Sequence, residues 1–131
     1  MQILTFLLGE NRFAIDVTLV DTIDNLKPVT TVPKCKAYVI GLISNRGNVL
    51  PVINTSMLLN QMATDIAIEK LIIVNLGHEK IALAVTEIDD VLDIDDETIQ
   101  KLDTDDNPSI INFNSEVITL VTYHELLKIQ I

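Results

Sequence analysis

The sequence predicts an all-β fold made of two copies of one small β-rich unit, and three observations carry that reading. Short runs of Ile, Val and Leu alternate with clusters of Gly, Asn, Asp and Pro, the pattern of strands punctuated by turns. Aromatic residues are 4% of the chain and Trp is absent, so β-branched side chains must do the packing, which favours strands. The third observation is an internal repeat at an offset of 68 residues. Leu8–Asp24 then falls on Leu76–Leu92 without gaps, with Leu, Gly, Ala, Val, Thr and Asp identical at 8, 9, 14, 17, 18 and 21. The same offset places Leu42–Leu59 on Ile110–Leu127, with Ile43/Ile111, Val49/Val117, Leu58/Leu126 and Leu59/Leu127 identical. One register serving both ends argues for a duplicated unit of about 65 residues, each too small to stand comfortably alone. The 131 residues are enough for one compact body or for two small barrels sharing a core.

The elements follow in order. Ile3–Leu8 is apolar, Gly9-Glu10-Asn11-Arg12 turns, and Phe13–Val17 returns, a hairpin with a four-residue loop. Val20 and Ile23 continue amid polar residues. Leu26–Pro33 holds Pro28 and Pro33, so it should be extended and partly irregular. Tyr38–Ile43 and Val49–Ile53 flank Ser44-Asn45-Arg46-Gly47-Asn48, a second hairpin with Asn and Gly at its turn. Pro51 lies in its second run, which demands an edge or a bulge there. Met57–Leu59 reads as one helical turn with Ser56 as its N-cap, and 61–66 links the copies. Lys70–Leu76, a turn at Gly77–Lys80 and Ile81–Val85 repeat the opening hairpin. A short helix is expected from about Asp95, capped by Asp95 or Asp96, and a last one near His124. The expected division is one domain, 1–131, with sub-barrels of approximately 1–65 and 66–131 and strand exchange between them left open.

Charge is lopsided. Residues 1–65 hold five Lys/Arg and five Asp/Glu, whereas 66–131 hold four and fourteen, which accounts for the net −10. Such a chain is repelled by nucleic acid and by anionic lipid, and it lacks the basic patches and stacking aromatics of nucleic-acid binders. Its excess acid suits solubility or a partner with a basic face. No apolar run approaches the length of a membrane span and no basic segment precedes the apolar start as in a secretory signal. The single cysteine, Cys35, permits no internal disulfide, fits a reducing cytoplasm and has no local base.

Reactive chemistry finds little support. No Gly-rich phosphate loop, paired-His zinc motif, nucleophile elbow or paired-Cys motif occurs, so no catalytic residue and no cofactor are expected. Asp93, Asp95 and Glu97 have the spacing of a calcium loop, but Thr98 and Thr104 stand where glycine and a bidentate glutamate are needed, so no metal is expected. The acidic segment 89–106, with nine acids and one lysine, reads as a solvated face. A ligand-binding or hydrolytic barrel using those carboxylates is the alternative of a different class, and it needs an enclosed pocket. His78 in a turn and His124 near the last helix have no triad partners in sequence.

Arg46 is the feature that stands out. It is the only charged residue between Ala37 and Thr64, in a chain that is 21% charged. A lone cation on a hairpin tip amid uncharged surface is a candidate protein contact, the plainer reading being a solvated turn arginine.

The ordered pieces FLLGENRFAIDV at 6–17, Val32-Pro33, YVIGLISNRGNVLPVI at 38–53, and IIVNLG at 72–77 through AVTEIDDVL at 84–92 together resemble the CheW family of chemotaxis coupling proteins, over nearly the whole chain. The resemblance implies two SH3-like five-stranded β-barrels packed together, with one or two short helices, and no catalysis. It implies a non-enzymatic adaptor at receptor arrays in the cytoplasm, without membrane insertion. Its partners would be the regulatory domain of the histidine kinase CheA and the helical cytoplasmic tip of a methyl-accepting chemoreceptor, with homo-association in array rings in view. Val20 matches a groove-side apolar position, and Gly41, Asn45, Arg46 and Gly47 belong to the matching turn motif. A divergent CheW-like accessory module outside chemotaxis is the nearer alternative. The chain departs from the family pattern at Thr22, usually acidic, at Lys36, usually proline, and at Asn54, usually aspartate. It also lacks glycines in Ser109–Ser115. These departures bear on partner choice more than on the fold.

Overall fold

The computed structural model describes residues 1–59, 67–100 and 109–129. It holds eleven described strands: β1 (Gln2–Leu8), β2 (Asn11–Asp16), β3 (Val20–Asn25), β4 (Val39–Asn45), β5 (Asn48–Asn54), β6 (Lys70–Asn75), β7 (Lys80–Val85), β8 (Glu87–Asp93), β9 (Ile99–Gln100), β10 (Ser109–Phe113) and β11 (Glu116–Val121). Two short helices follow β5 and β11: α1 (Thr55–Leu58) and α2 (Tyr123–Leu127). The strands form two sheets, ordered β3-β6-β7-β5-β4 and β8-β1-β2-β11-β10-β9.

The repeat governs this topology down to single rungs. Lys70 pairs with Asn25, and at the 68-residue offset Gln2 pairs with Asp93. Val52 opposite Ala82 in the parallel β5–β7 ladder maps onto Leu120 opposite Ala14 in β11–β2. Gly41 opposite Val52 maps onto Ser109 opposite Leu120. The copies exchange hairpins. The β1–β2 hairpin of the first half completes the sheet of β8, β10 and β11, and β6–β7 completes that of β3, β4 and β5. Both sheets curl shut in the same way. After β3 the chain returns to pair Thr30 with Leu42 of β4, and after β8 it returns as β9 beside β10.

The exchange explains the near-continuous apolar character of the opening strands of each hairpin. Along β6, Leu71 and Ile73 fill the interior of one barrel with Ile43, Leu50, Val52, Ala82 and Ala84. The alternate residues Ile72 and Val74 face a core shared with Leu4, Phe6, Phe13 and Ile15 of the other sheet. The second barrel has the matching interior of Ile3, Ala14, Ile111, Ile118 and Leu120. A strand buried on both faces loses the polar alternation of a half-exposed one.

Four local expectations are corrected. The first turn is two residues, Gly9-Glu10, because Asn11 pairs with Leu8 and Arg12 with Leu7; Gly9 alone takes positive φ there, at 63°, as in a type II′ turn. The N-cap of α1 is Asn54, not Ser56: its side chain accepts from the Met57 N–H at 3.2 Å, and Ser56 is buried within the helix. The short helix expected from about Asp95 is present only as a single 3-10 turn, Asp96–Thr98. Pro51 lies in an interior strand, and the ladder's irregularity falls at Val39/Gly41 of the partner strand. Because the Asn54 N–H points to β4, bonding Tyr38, Pro51 by alternation points its nitrogen away from β4. There it stands one residue ahead of the β5–β7 ladder, which starts at Val52, so no rung is lost.

Candidate functional site

The Arg46 hairpin is a two-residue turn. β4 ends at Asn45 opposite Asn48, and the two central residues both have positive φ, 51° at Arg46 and 82° at Gly47. That is the type I′ geometry whose twist matches a hairpin. Gly47 adopts it freely, but Arg46 pays for a left-handed backbone that Asn, Asp or Gly takes more readily. The sister turn has Asn114 at 51° and Ser115 at 64°, so the corresponding position there carries the favoured residue. Arg46 is exposed, and among the described residues no hydrogen bond or ion pair engages it.

Asn45, just before the turn, is only 8% exposed, and its side-chain oxygen accepts from Lys27 Nζ at 3.0 Å. Lys27 in turn lies 2.9 Å from Asp24 Oδ2. The Asp24 carboxyl is held below its ordinary value of 3.8, first by the Lys27 hydrogen bond, then by the Asn25 N–H, with a smaller pull from the charge of Arg46. Asp24 thus places a carboxylate beside Lys27 two residues on from Thr22. Thr22 and Asp24 lie on the same half-buried face of β3, a period-2 relation visible in the sequence. Lys27 has no such local signal; it reaches Asn45 because the chain after β3 crosses to β4.

Gly41 is buried in β4 under the segment 29–30. A Cβ there would stand 2.2 Å from the Thr30 carbonyl oxygen and 2.6 Å from Val29 Cγ1, so the crossing chain requires glycine. Val20, half-buried, opens β3 opposite Val74 and packs against the shared core. Asn45, Arg46 and Gly47 are therefore contiguous at the tip, Gly41 lies deeper in the same strand, and Val20 lies at the far end of β3 from Asp24. Val49, 67% exposed, adds apolar surface beside the tip. A shallow open depression there is lined by Val49, Pro51, Asn75, Gly77, His78 and Lys80.

Elsewhere the polar groups are structural. Asp89, Asp90 and Asp93 are exposed on the outermost strand of their sheet. Arg12 binds Asp89 and Glu116, each at 2.6 Å, tying β2 to β8 and β11. The Thr5 hydroxyl bridges the Asp90 backbone at the bulge of the β1–β8 ladder. Asp95 and Glu97 are also exposed, and 101–106 fall outside the described residues. Among the described residues no group of three or more His, Cys, Asp or Glu side chains is arranged to hold a metal. Cys35 Sγ donates to the Val32 carbonyl at 3.1 Å against the shared core. His78 sits exposed beside Glu79, at 3.4 Å. No helix among the described residues is long and apolar enough to cross a membrane.

The chain can be set beside known proteins. The family model described as CheW-like domain matches residues 2–130. Chemotaxis protein CheW of Rhizobium meliloti is 31% identical over 100 residues, 76% of this chain and 64% of the relative. Chemotaxis protein CheW of Bacillus subtilis is 30% identical over the same shares. The matched region thus spans somewhat less than two thirds of these curated relatives. The crystal structure of scaffolding protein TtCheW from Thermoanaerobacter tengcongensis superposes with a TM-score of 0.85 at 23% identity, over 98% of this chain and 92% of that one, a likeness of fold that includes the two SH3-like barrels. With a family match over almost the full length and a fold to go with it, this chain belongs to the CheW-like domain family.

Proposed function

We propose that this chain is a non-catalytic adaptor of bacterial chemotaxis signalling that couples chemoreceptors to the histidine kinase CheA. It works in the cytoplasm by offering docking surfaces, and the Arg46 tip is one of them. The observation that carries this reading is the asymmetry between the two copies. Both form the same turn with positive φ at its two central residues, yet only one of the two turns puts a charged side chain, the exposed Arg46, there. Backbone strain retained at an exposed side chain that makes no hydrogen bond or ion pair among the described residues is a mark of a functional position. An arginine there supplies a planar fork of donors for carboxylate or carbonyl oxygens, and Val20 and the neighbouring β-branched side chains supply apolar surface for a helical partner. Family membership supports the choice of partners: the CheA regulatory domain and the receptor's helical tip, with contacts between copies in an array as a further proposal. The open, exposed setting of the described acids favours this reading over a hydrolytic or ligand-binding barrel.

Pull-down of a CheA regulatory domain and a chemoreceptor cytoplasmic fragment by the purified chain tests it; binding of neither overturns it. Arg46→Glu should weaken the receptor interaction by roughly 1–3 kcal/mol if the tip is a hot spot. Undiminished binding by that variant would remove Arg46 from the interface.

A further inference from the structure

Arg46 is not the only cation on its face. The chain leaving β3 crosses to pair Thr30 with Leu42, and this crossing brings Lys27, paired with Asp24, to Asn45 beside the Arg46 turn. Lys27 is held at two points: Asp24 Oδ2 at 2.9 Å and the oxygen of the buried Asn45 at 3.0 Å. Asn45 is the residue next to Arg46, so the ammonium of Lys27 is fixed relative to the turn. Both side chains remain reachable, 34% exposed for Lys27 and 41% for Asp24. Arg46 has no such internal partner among the described residues, yet its charge is felt by Asp24.

The geometry points to Lys27 and Asp24 as specificity-determining residues of the Arg46 docking surface, with Lys27 a second cation offered to an acidic segment of the partner and Asp24 the internal carboxylate with which that segment competes. This rests on the docking role proposed for Arg46 and specifies the chemistry of what docks. Two cations, Lys27 tethered to Asn45 beside the turn and Arg46 on the turn itself, suit carboxylates repeated along one face of a helix, as glutamates three or four residues apart are. Asp24 sets the threshold. A partner with a single weak acid gains little by displacing it, whereas paired acids engage both cations, so an internal counter-charge sharpens discrimination.

The test is titration of a chemoreceptor cytoplasmic hairpin fragment into the full chain and its variants, each first checked for an unchanged thermal transition. Asp24→Asn frees Lys27 from its ion pair and should tighten binding roughly two- to fivefold, and Lys27→Met should weaken it by a similar factor, the range expected of partly exposed charges. Lys27→Arg should restore most of the loss. Asp24→Asn should also steepen the fall of affinity with added salt, since more partner charge is then unscreened by the protein itself. Wild-type affinity in both Asp24→Asn and Lys27→Met, with Arg46→Glu impaired, overturns the inference and leaves the docking role of Arg46 standing. A second probe is independent of any receptor: a designed helical peptide bearing paired glutamates, followed by amide shifts in the wild-type chain. Shifts at both Lys27 and Arg46 support the inference; shifts at neither overturn it, whatever the receptor fragment does.

Discussion

Arg46 occupies a backbone conformation that its counterpart Asn114 occupies with less strain. Replacing it by that counterpart, Arg46→Asn, should raise stability by roughly 0.5–1 kcal/mol while weakening receptor binding. Paired urea denaturation and pull-down measurements check both halves of the expectation; a variant no more stable than the parent would mean that the turn carries no strain. Gly41 is constrained in the opposite way. Gly41→Ala drives a methyl group against the Thr30 carbonyl, a backbone atom that cannot rotate aside, and should cost about 1–3 kcal/mol. Adding Val29→Ala should not restore the loss, because the nearer obstacle is main chain; a rescued urea midpoint would refute that explanation. At this scale the sequence was informative in part. The isolation of Arg46 between Ala37 and Thr64 is plain from the residues alone, and so is the period-2 relation of Asp24 to Thr22. The tether from Lys27 to Asn45 is not, because 18 residues separate the two and only the closure of the barrel joins them.

The short elements depend on caps and on what they pack against. A five-residue helix cannot nucleate by propensity, so α2 rests on two supports. Thr122 and Glu125 form a reciprocal capping box. Leu126 is buried in the shared core, and the Tyr123 hydroxyl donates to the Leu76 carbonyl of the exchanged hairpin at 3.0 Å. Thr122→Ala should lower stability by about 1 kcal/mol, and Thr122→Ser, which keeps the acceptor, should recover most of it; equal losses in the two variants would argue against the cap. The strands were legible because alternation and turn residues mark them. Cap identity was not: Asn54 and Ser56 are both good caps by type, and the choice is made by β5, which runs to Asn54 and leaves Ser56 inside. The first turn is shorter than its residue types suggest for a related reason. Asn11 and Arg12 look like loop residues, but Arg12 is held in β2 by the carboxylates of Asp89 and Glu116, which lie far away in sequence.

The repeat that sequence comparison detects is the rule by which the whole molecule is assembled, since rungs in one sheet predict rungs in the other at the same offset. Which copy each hairpin joins was not legible, because β1–β2 and β6–β7 carry the same pattern and either would satisfy either sheet. Pattern specifies faces and register, not the choice between equivalent partners. The exchange makes a sharp prediction. Fragments 1–65 and 66–131, produced separately, should be largely unfolded, since each lacks the hairpin that completes its own barrel, and mixing them should restore the β-sheet circular-dichroism spectrum. A folded, monomeric single fragment would contradict this account. The intertwining also bears on how the protein would transmit load. Two beads on a string can swivel; two barrels that have traded hairpins cannot, since any hinge between them would tear four strands from a common interior. If partners grip the two ends as proposed, each would be held at a set angle to the other, an angle written into the covalent order of a single polypeptide.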